Sequence, residues 1–238
     1  MSVAARWMVG AVALAVSAGA AASQAQKSPD WVRCEDIDHR SPDIRIGGCT
    51  AVIQSGKESG RNLARAFKHR GDGYFLKREL DRALHDFDQA IKLNPNFVEA
   101  FLIRGVVYLN RREHDRAIQD FSQAIEINPN YGDAFYNRGT TYKLKDDLDR
   151  AIGDFDQAIK LKPSNALAFG ARGEIYAARG QHDRAIRDYD QSIKLYPGNA
   201  TVLYRRSLAR QKRGDKAGAE ADLAAARRID PNVGRGAR

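Results

Sequence analysis

Five arginines in this chain are each followed by an aspartate at one fixed offset: Arg70 and Asp86, Arg104 and Asp120, Arg138 and Asp154, Arg172 and Asp188, Arg206 and Asp222. Guanidinium and carboxylate groups in constant register can form ion pairs, or present a row of anion-binding cations. A catalytic pair needs to occur only once, so fivefold repetition argues for structure. If these arginines lie on a packed face they must be paired, because an uncompensated buried charge is costly. The histidines offer less. His114 and His182 occupy one repeated place, where Leu80 and Leu148 stand elsewhere, and are too far apart in sequence to share a metal. His69 and His85 have no Cys or carboxylate set at ligand spacing, and His39 lies in the N-terminal segment before the repeats. No metal site is therefore expected. There is no Gly-x-Ser-x-Gly, no phosphate loop and no His-Glu-x-x-His. The expectation is a protein without catalysis and without cofactor.

Cys34 and Cys49 are the only cysteines. Two thiols exclude a four-thiolate zinc site and a disulfide-stapled miniprotein. In an oxidising compartment a bridge closing a loop of about 15 residues would add about 3 kcal/mol by restricting the unfolded chain. The other reading is a pair of free redox thiols, although the spacing is not that of a Cys-x-x-Cys motif.

The elements that must hold these groups follow a single beat. Pro95, Pro129, Pro163, Pro197 and Pro231 are evenly spaced, and the five arginines keep the same interval. So do Gly71, Gly105, Gly139 and Gly173; Tyr74, Tyr108, Tyr142 and Tyr176; Ala83, Ala117, Ala151 and Ala185; and Phe87, Phe121, Phe155 and Tyr189. Asp-Arg-Ala-Leu/Ile recurs at Asp81, Asp115, Asp149 and Asp183. Within a unit the apolar residues step by three and four, as on one face of a helix. Ala134, Phe135, Arg138, Gly139 and Tyr142 trace a first helix. Leu148, Ala151, Ile152, Phe155, Ala158, Ile159 and Leu161 trace a second, after the polar turn Lys145-Asp146-Asp147. Pro163 cannot continue that helix. Each unit reads as helix, turn, helix, with two helices of about 13 residues, roughly the mean for globular proteins. Composition agrees: of 238 residues 43% are hydrophobic, 29% charged and only 8% aromatic. That is globular rather than collagen-like or disordered, and suits helices better than strands.

These units resemble the tetratricopeptide repeat, whose pattern at the same period is a bulky residue, then Gly, Tyr, Ala, an aromatic, Ala and Pro. Phe101, Gly105, Tyr108, Ala117, Phe121, Ala124 and Pro129 fill those places in the second unit. Phe135, Gly139, Tyr142, Ala151, Phe155, Ala158 and Pro163 fill them in the third. The resemblance covers residues 62–231 as five units: 62–95, 96–129, 130–163, 164–197 and 198–231. It implies an all-α, right-handed α-solenoid. The family usually has Leu just before the Gly, where this chain has Arg. The fifth unit drifts further, with Ser207 for Gly, Arg210 for Tyr, and Leu203 and Leu223 for aromatics, as suits a solvated terminal cap.

Residues 26–61 read as a degenerate N-terminal cap. Ile46–Ile53 aligns with Leu84–Ile91, slightly out of the beat because the connection is longer, and Cys49 takes the place of Phe87. Its first helix is expected to be short and interrupted around Ser41-Pro42, with a Cys34–Cys49 bridge tying it to the next. The chain as a whole is similar to small exported bacterial repeat proteins in which two such cysteines precede the units.

Residues 1–25 have the layout of a secretory signal peptide: Arg6, an uncharged apolar run from Trp7, then small residues Ala18–Ala22 and Ala25. Cleavage after Ala22 or Ala25 would leave a periplasmic or secreted protein. The net charge is +9. Residues 23–61 are balanced and 62–197 carry +2, whereas 198–238, including the tail 232–238, carry +6. That excess could draw residues 198–238 weakly to an anionic surface. Nucleic acid is not expected of an exported protein without a base-stacking aromatic platform.

The resemblance also implies where partners bind, since family members hold peptides on the concave face lined by first helices. The residues it places there include Lys68, Phe75, Leu102, Val106, Leu109, Tyr136, Lys143 and Tyr204. Chaperone-tail-binding members clamp a terminal carboxylate with Lys, Asn and Arg. Lys68 matches one clamp place, but Asp72 and Asp133 stand where Asn and Lys are wanted. A peptide with apolar side chains, extended or helical, fits better. The leading expectation is a protein-interaction module. The alternative is an assembly protein that self-associates through its array ends or binds an anionic envelope surface.

Overall fold

The evenly spaced prolines end helices by restricting the residue before them to extended backbone. Asn94, Asn128, Lys162, Tyr196 and Asp230 precede them with ψ between 81 and 103°, and each closes a helix. Four helices also start on a side-chain cap: Asp147, Asn165, Asn199 and Asp215 each accept a hydrogen bond from the third backbone N–H beyond them, which satisfies a donor the first turn leaves without an intrahelical partner. Between the two helices of each unit the chain reverses through a left-handed residue, at Arg78, Arg112, Asp146, Gly180 and Gly214. Three of these are not glycine, and such a residue with positive φ carries a steric cost.

The computed structural model describes residues 28–35 and 41–235. The expected signal peptide lies outside the described residues, as do 26–27 and 36–40 of the cap and 236–238 of the tail. Among the described residues there are twelve helices and no strand. They are α1 (Pro29–Glu35), α2 (Pro42–Gln54), α3 (Gly60–Leu76), α4 (Leu80–Leu93), α5 (Val98–Asn110), α6 (His114–Ile127), α7 (Gly132–Leu144), α8 (Leu148–Leu161), α9 (Ala166–Ala178), α10 (His182–Leu195), α11 (Ala200–Arg213) and α12 (Lys216–Ile229). Consecutive helices pack against one another, as in an α-solenoid. None is long and apolar enough to cross a membrane.

The cap departs from expectation at one point. Ser41-Pro42 does not interrupt a first helix. Pro42 opens α2, and the Ser41 hydroxyl caps it by accepting from the Asp43 N–H. Proline suits that position because its missing N–H would have no intrahelical partner there. The Cys34–Cys49 disulfide joins α1 to α2, and both sulfurs are buried with Val52 and Ala66.

In the first four units the glycine of the first helix meets the aromatic of the second. A Cβ added at Gly105 would stand 2.6 Å from the Phe121 ring, and one at Gly71 or Gly173 would stand 2.8 Å from Phe87 or Tyr189. The ring therefore fits only against bare backbone. Phe121 is fully buried among Phe101, Leu102, Ala117, Ala124 and Ala134. Since Ala134 belongs to the next unit, each ring also seals a joint between units.

The five arginines hold the same joints electrostatically. In every unit Nε and Nη2 of the arginine donate to both carboxylate oxygens of its aspartate on the second helix, at 2.6–2.8 Å. Such bidentate, charge-assisted pairs are the strong kind. The third nitrogen, Nη1, reaches back to the preceding unit: Arg104 to Asp88 at 2.6 Å, Arg172 to Asp156 at 2.5 Å, and Arg206 to Asp190 at 2.7 Å. Arg138 finds Ser122 instead, at 3.0 Å. An outer row of ion pairs runs parallel, Lys77–Asp43, Arg111–Asp81, Lys145–Asp115, Arg179–Asp149 and Arg213–Asp183. These are exposed and each contributes little. Ser122→Asp should restore the carboxylate that three other joints possess and stabilise the array by about 0.5 kcal/mol. The check is a higher denaturant midpoint at unchanged slope.

Candidate functional site

First helices touch one another along the array: α3 meets α5, α5 meets α7, α7 meets α9 and α9 meets α11. The second helices α4, α6, α8, α10 and α12 make no such contacts with each other. The array thus curves with its first helices inside, and the concave face is theirs. The side chains it presents follow from which helical positions the neighbouring first helix covers.

Leu102 is covered. It is 8% exposed and packs with Phe101 and Phe121, against Ala134 of α7. Its expected place on a ligand-facing surface is corrected by the close approach of α5 and α7. Val106 and Leu109 are half-buried against the same cluster, and Phe75 against that of Tyr74 and Phe87. Tyr136 is half-buried, its ring tilted against Phe155 at 6.0 Å, and burial pushes its phenol up. Tyr204 is overlain by Gly234, where a Cβ would stand 2.7 Å from the ring. The apolar side chains left most open at groove positions are Leu76, Leu144, Leu167 and Leu208, each 43–57% exposed.

Charge on this face is concentrated over three units. Lys143 of α7 pairs with Glu174 of α9 at 2.7 Å, and Arg205 of α11 pairs with the other oxygen of the same carboxylate. Two half-buried cations share one anion. Burial pulls both down, and at Lys143 the neighbouring Arg205 adds to it. At the other end Lys68 is held by Asp72 at 2.9 Å, so its ammonium is engaged within α3. Arg205 is not among the expected groove residues. Its offset of 31 from Glu174 equals that of Glu174 from Lys143, a step from one first helix to the next that differs from the period of the Arg–Asp row.

The five arginines of the row are each engaged by an aspartate of their own unit. Arg138 is one-fifth exposed and Asp154 less than one-tenth. The hydrogen bond from the Arg138 guanidinium to the Asp154 carboxylate holds that guanidinium above its ordinary value against the effect of burial. In the basic segment 198–238, Arg205, Arg206, Arg210 and Arg213 are bound to internal carboxylates, which lowers its pull on anionic surfaces. The last unit also changes the surface a following unit would meet. Where α4, α6, α8 and α10 have Leu or Ile, α12 has Glu220, and where they have Ile it has Arg227. Ala217 stands where aspartates accept the cations of a following unit, and Ala224 where Asp88, Asp156 and Asp190 do so. Among the described residues no group of three or more His, Cys, Asp or Glu is placed to hold a metal ion.

Comparison with known proteins agrees with this geometry. A profile of the tetratricopeptide repeat matches residues 70–132, 136–200 and 171–233. No curated protein sequence matches the chain. A crystal structure of MamA is similar with a TM-score of 0.63 at 25% identity, over 69% of this chain and 96% of that one. MamA from Desulfovibrio magneticus RS-1 gives 0.64 at 16% identity, over 72% and 97%. YrrB, described as a TPR protein with an unusual peptide-binding site, gives 0.63 at 23% identity, over 79% and 95%. The last two likenesses speak to fold alone. With the profile spanning most of the chain and the helix pairs stacked as the profile implies, this chain belongs to the tetratricopeptide-repeat family and is a protein-interaction module of that kind.

Proposed function

We propose that the protein is exported and, outside the cytoplasm, binds peptide segments of another protein on its concave face, without catalysis of its own. One observation carries this reading: Leu144 at the end of α7 and Leu167 at the start of α9 lie open on the adjoining first helices that also carry Lys143 and Glu174 of the charged cluster. Apolar side chains give a peptide area to bury, and fixed charges set its register. The self-assembly alternative is less well supported, because the α12 face has lost the apolar and acidic residues that receive a following unit.

The groove reading is tested by capture from a periplasmic extract with the mature chain, followed by titration of synthetic segments of the captured protein. Leu144→Glu combined with Leu167→Glu should weaken binding by more than about tenfold, a cost of about 1.4 kcal/mol, at unchanged helicity. Equal affinity would move the site off this face. Mass spectrometry of the periplasmic protein should find an N-terminus near Ser23 or Gln26. An intact Met1 on membrane-bound protein would overturn export.

A further inference from the structure

At the joint between the cap and the first unit the arginine row changes. Arg70 grips Asp86 through Nε and Nη2 like its counterparts. Its Nη1 meets only the Thr50 hydroxyl at 3.4 Å, where three other units place a carboxylate at 2.5–2.7 Å. Thr50 takes the place of Asp88 when the cap is aligned with the first unit, so the sequence itself has removed the carboxylate here. Beside Nη1 lies a cleft of about 550 Å³ lined by Ile46, Thr50, Tyr74, Arg82 and His85. It opens between the second helices α2 and α4, and none of the groove residues line it. Arg82 lies 4.0 Å over the Tyr74 ring and donates to its hydroxyl at 2.7 Å. Its other bond, to Glu79, is a single-turn pair at the surface, of the kind worth little.

The geometry points to this cleft as a binding site for a carboxylate group, supplied by an acidic side chain of a partner protein with apolar neighbours. The other joints show what the donor prefers, since the same nitrogen holds aspartate in three of them. They also answer the objection that Asp81 and Asp86 line the cleft. Asp115 and Asp120 hold the same repeat places at the next joint, and there Asp88 still binds Arg104, with Asp120 taken by Arg104 and Asp115 by Lys145. Here Arg70 takes Asp86 and Arg111 takes Asp81. Arg82 supplies a second cation, while Ile46 and Tyr74 give the flanking apolar residues a wall.

The test is NMR of the full chain with ¹⁵N-labelled arginine, titrated with sodium acetate, with an acetylated and amidated Leu-Asp-Leu peptide, and with its Leu-Asn-Leu analogue. The Arg70 side-chain signal should move with acetate and with the Asp peptide, and not with the Asn analogue. Saturation at lower concentration by the peptide than by acetate supports a protein partner. Equal concentrations for the two overturn the protein source. Thr50→Asp, which supplies the carboxylate from within, should weaken peptide binding by at least about tenfold. An unshifted Arg70, an equal response to the Asn analogue, or unchanged binding in Thr50→Asp overturns the site. Should Thr50→Asp fail to fold, acetate competition on the unaltered chain decides: peptide displaced from Arg70 supports the site, and peptide retained in excess acetate overturns it.

Discussion

Phe121→Ala should destabilise the array by about 4 kcal/mol, the range for emptying a buried aromatic site. Phe121 is fully buried, and its ring lies against the bare backbone of Gly105 on one side and Ala134 of the next unit on the other. Loss of the ring therefore opens a unit and a joint together, and in a repeat array stability is the sum of such terms. The fifth unit shows how the site can be rebuilt, since it pairs Ser207 with Leu223 where the others pair Gly with an aromatic. Gly105→Ala alone should cost about 1–3 kcal/mol through overlap with the ring. Combined with Phe121→Leu, the added methyl occupies released space and alanine favours the helix by about 1 kcal/mol over glycine. The double change should be more stable than Phe121→Ala by denaturant unfolding. A double variant as unstable as Phe121→Ala would mean that the ring does not set the helix spacing.

Asp154→Ala should cost about 3 kcal/mol, the lower end for breaking a buried pair, because Arg138 keeps some access to water. The substitution strands the Nε and Nη2 donors that Asp154 holds at 2.8 Å and leaves only the Ser122 hydroxyl. Arg138→Leu installs the residue usual in the family. Alone it strands Asp154, but together with Asp154→Ala it should recover much of the loss. The two sites should then couple well beyond the roughly 0.5 kcal/mol error of additivity. A repeat array can unfold in more than one step, so the cycle is best read locally, by hydrogen exchange of amides in α7 and α8. Coupling near zero would show that the pair contributes little, and the arginine row would return to consideration as a ligand surface.

The fold was legible because a solenoid repeats its physics. One helical pair cannot bury its own apolar face, so every unit must carry the same small, aromatic and proline residues at the same places. The Arg–Asp partners could be read for the same reason, since a constant offset in sequence maps to a constant geometry. Even the second partners Asp88, Asp156 and Asp190 keep the beat and could have been found by asking what the third guanidinium nitrogen does.

The sequence by itself thus determined the helix pairs, their order, the buried rings and the internal ion pairs, all of which depend on contacts within a unit or between neighbours in register. It could not determine the surface. Leu102 and Leu144 are both leucines at groove positions, yet one is covered by the adjoining first helix and the other is open. That Lys143, Glu174 and Arg205 close into one cluster, and that a cleft lies beside Arg70, depends on how successive units sit against one another. Only the tertiary structure decides these, because the angle between successive units is a sum of many small packing contacts with no single residue to mark it.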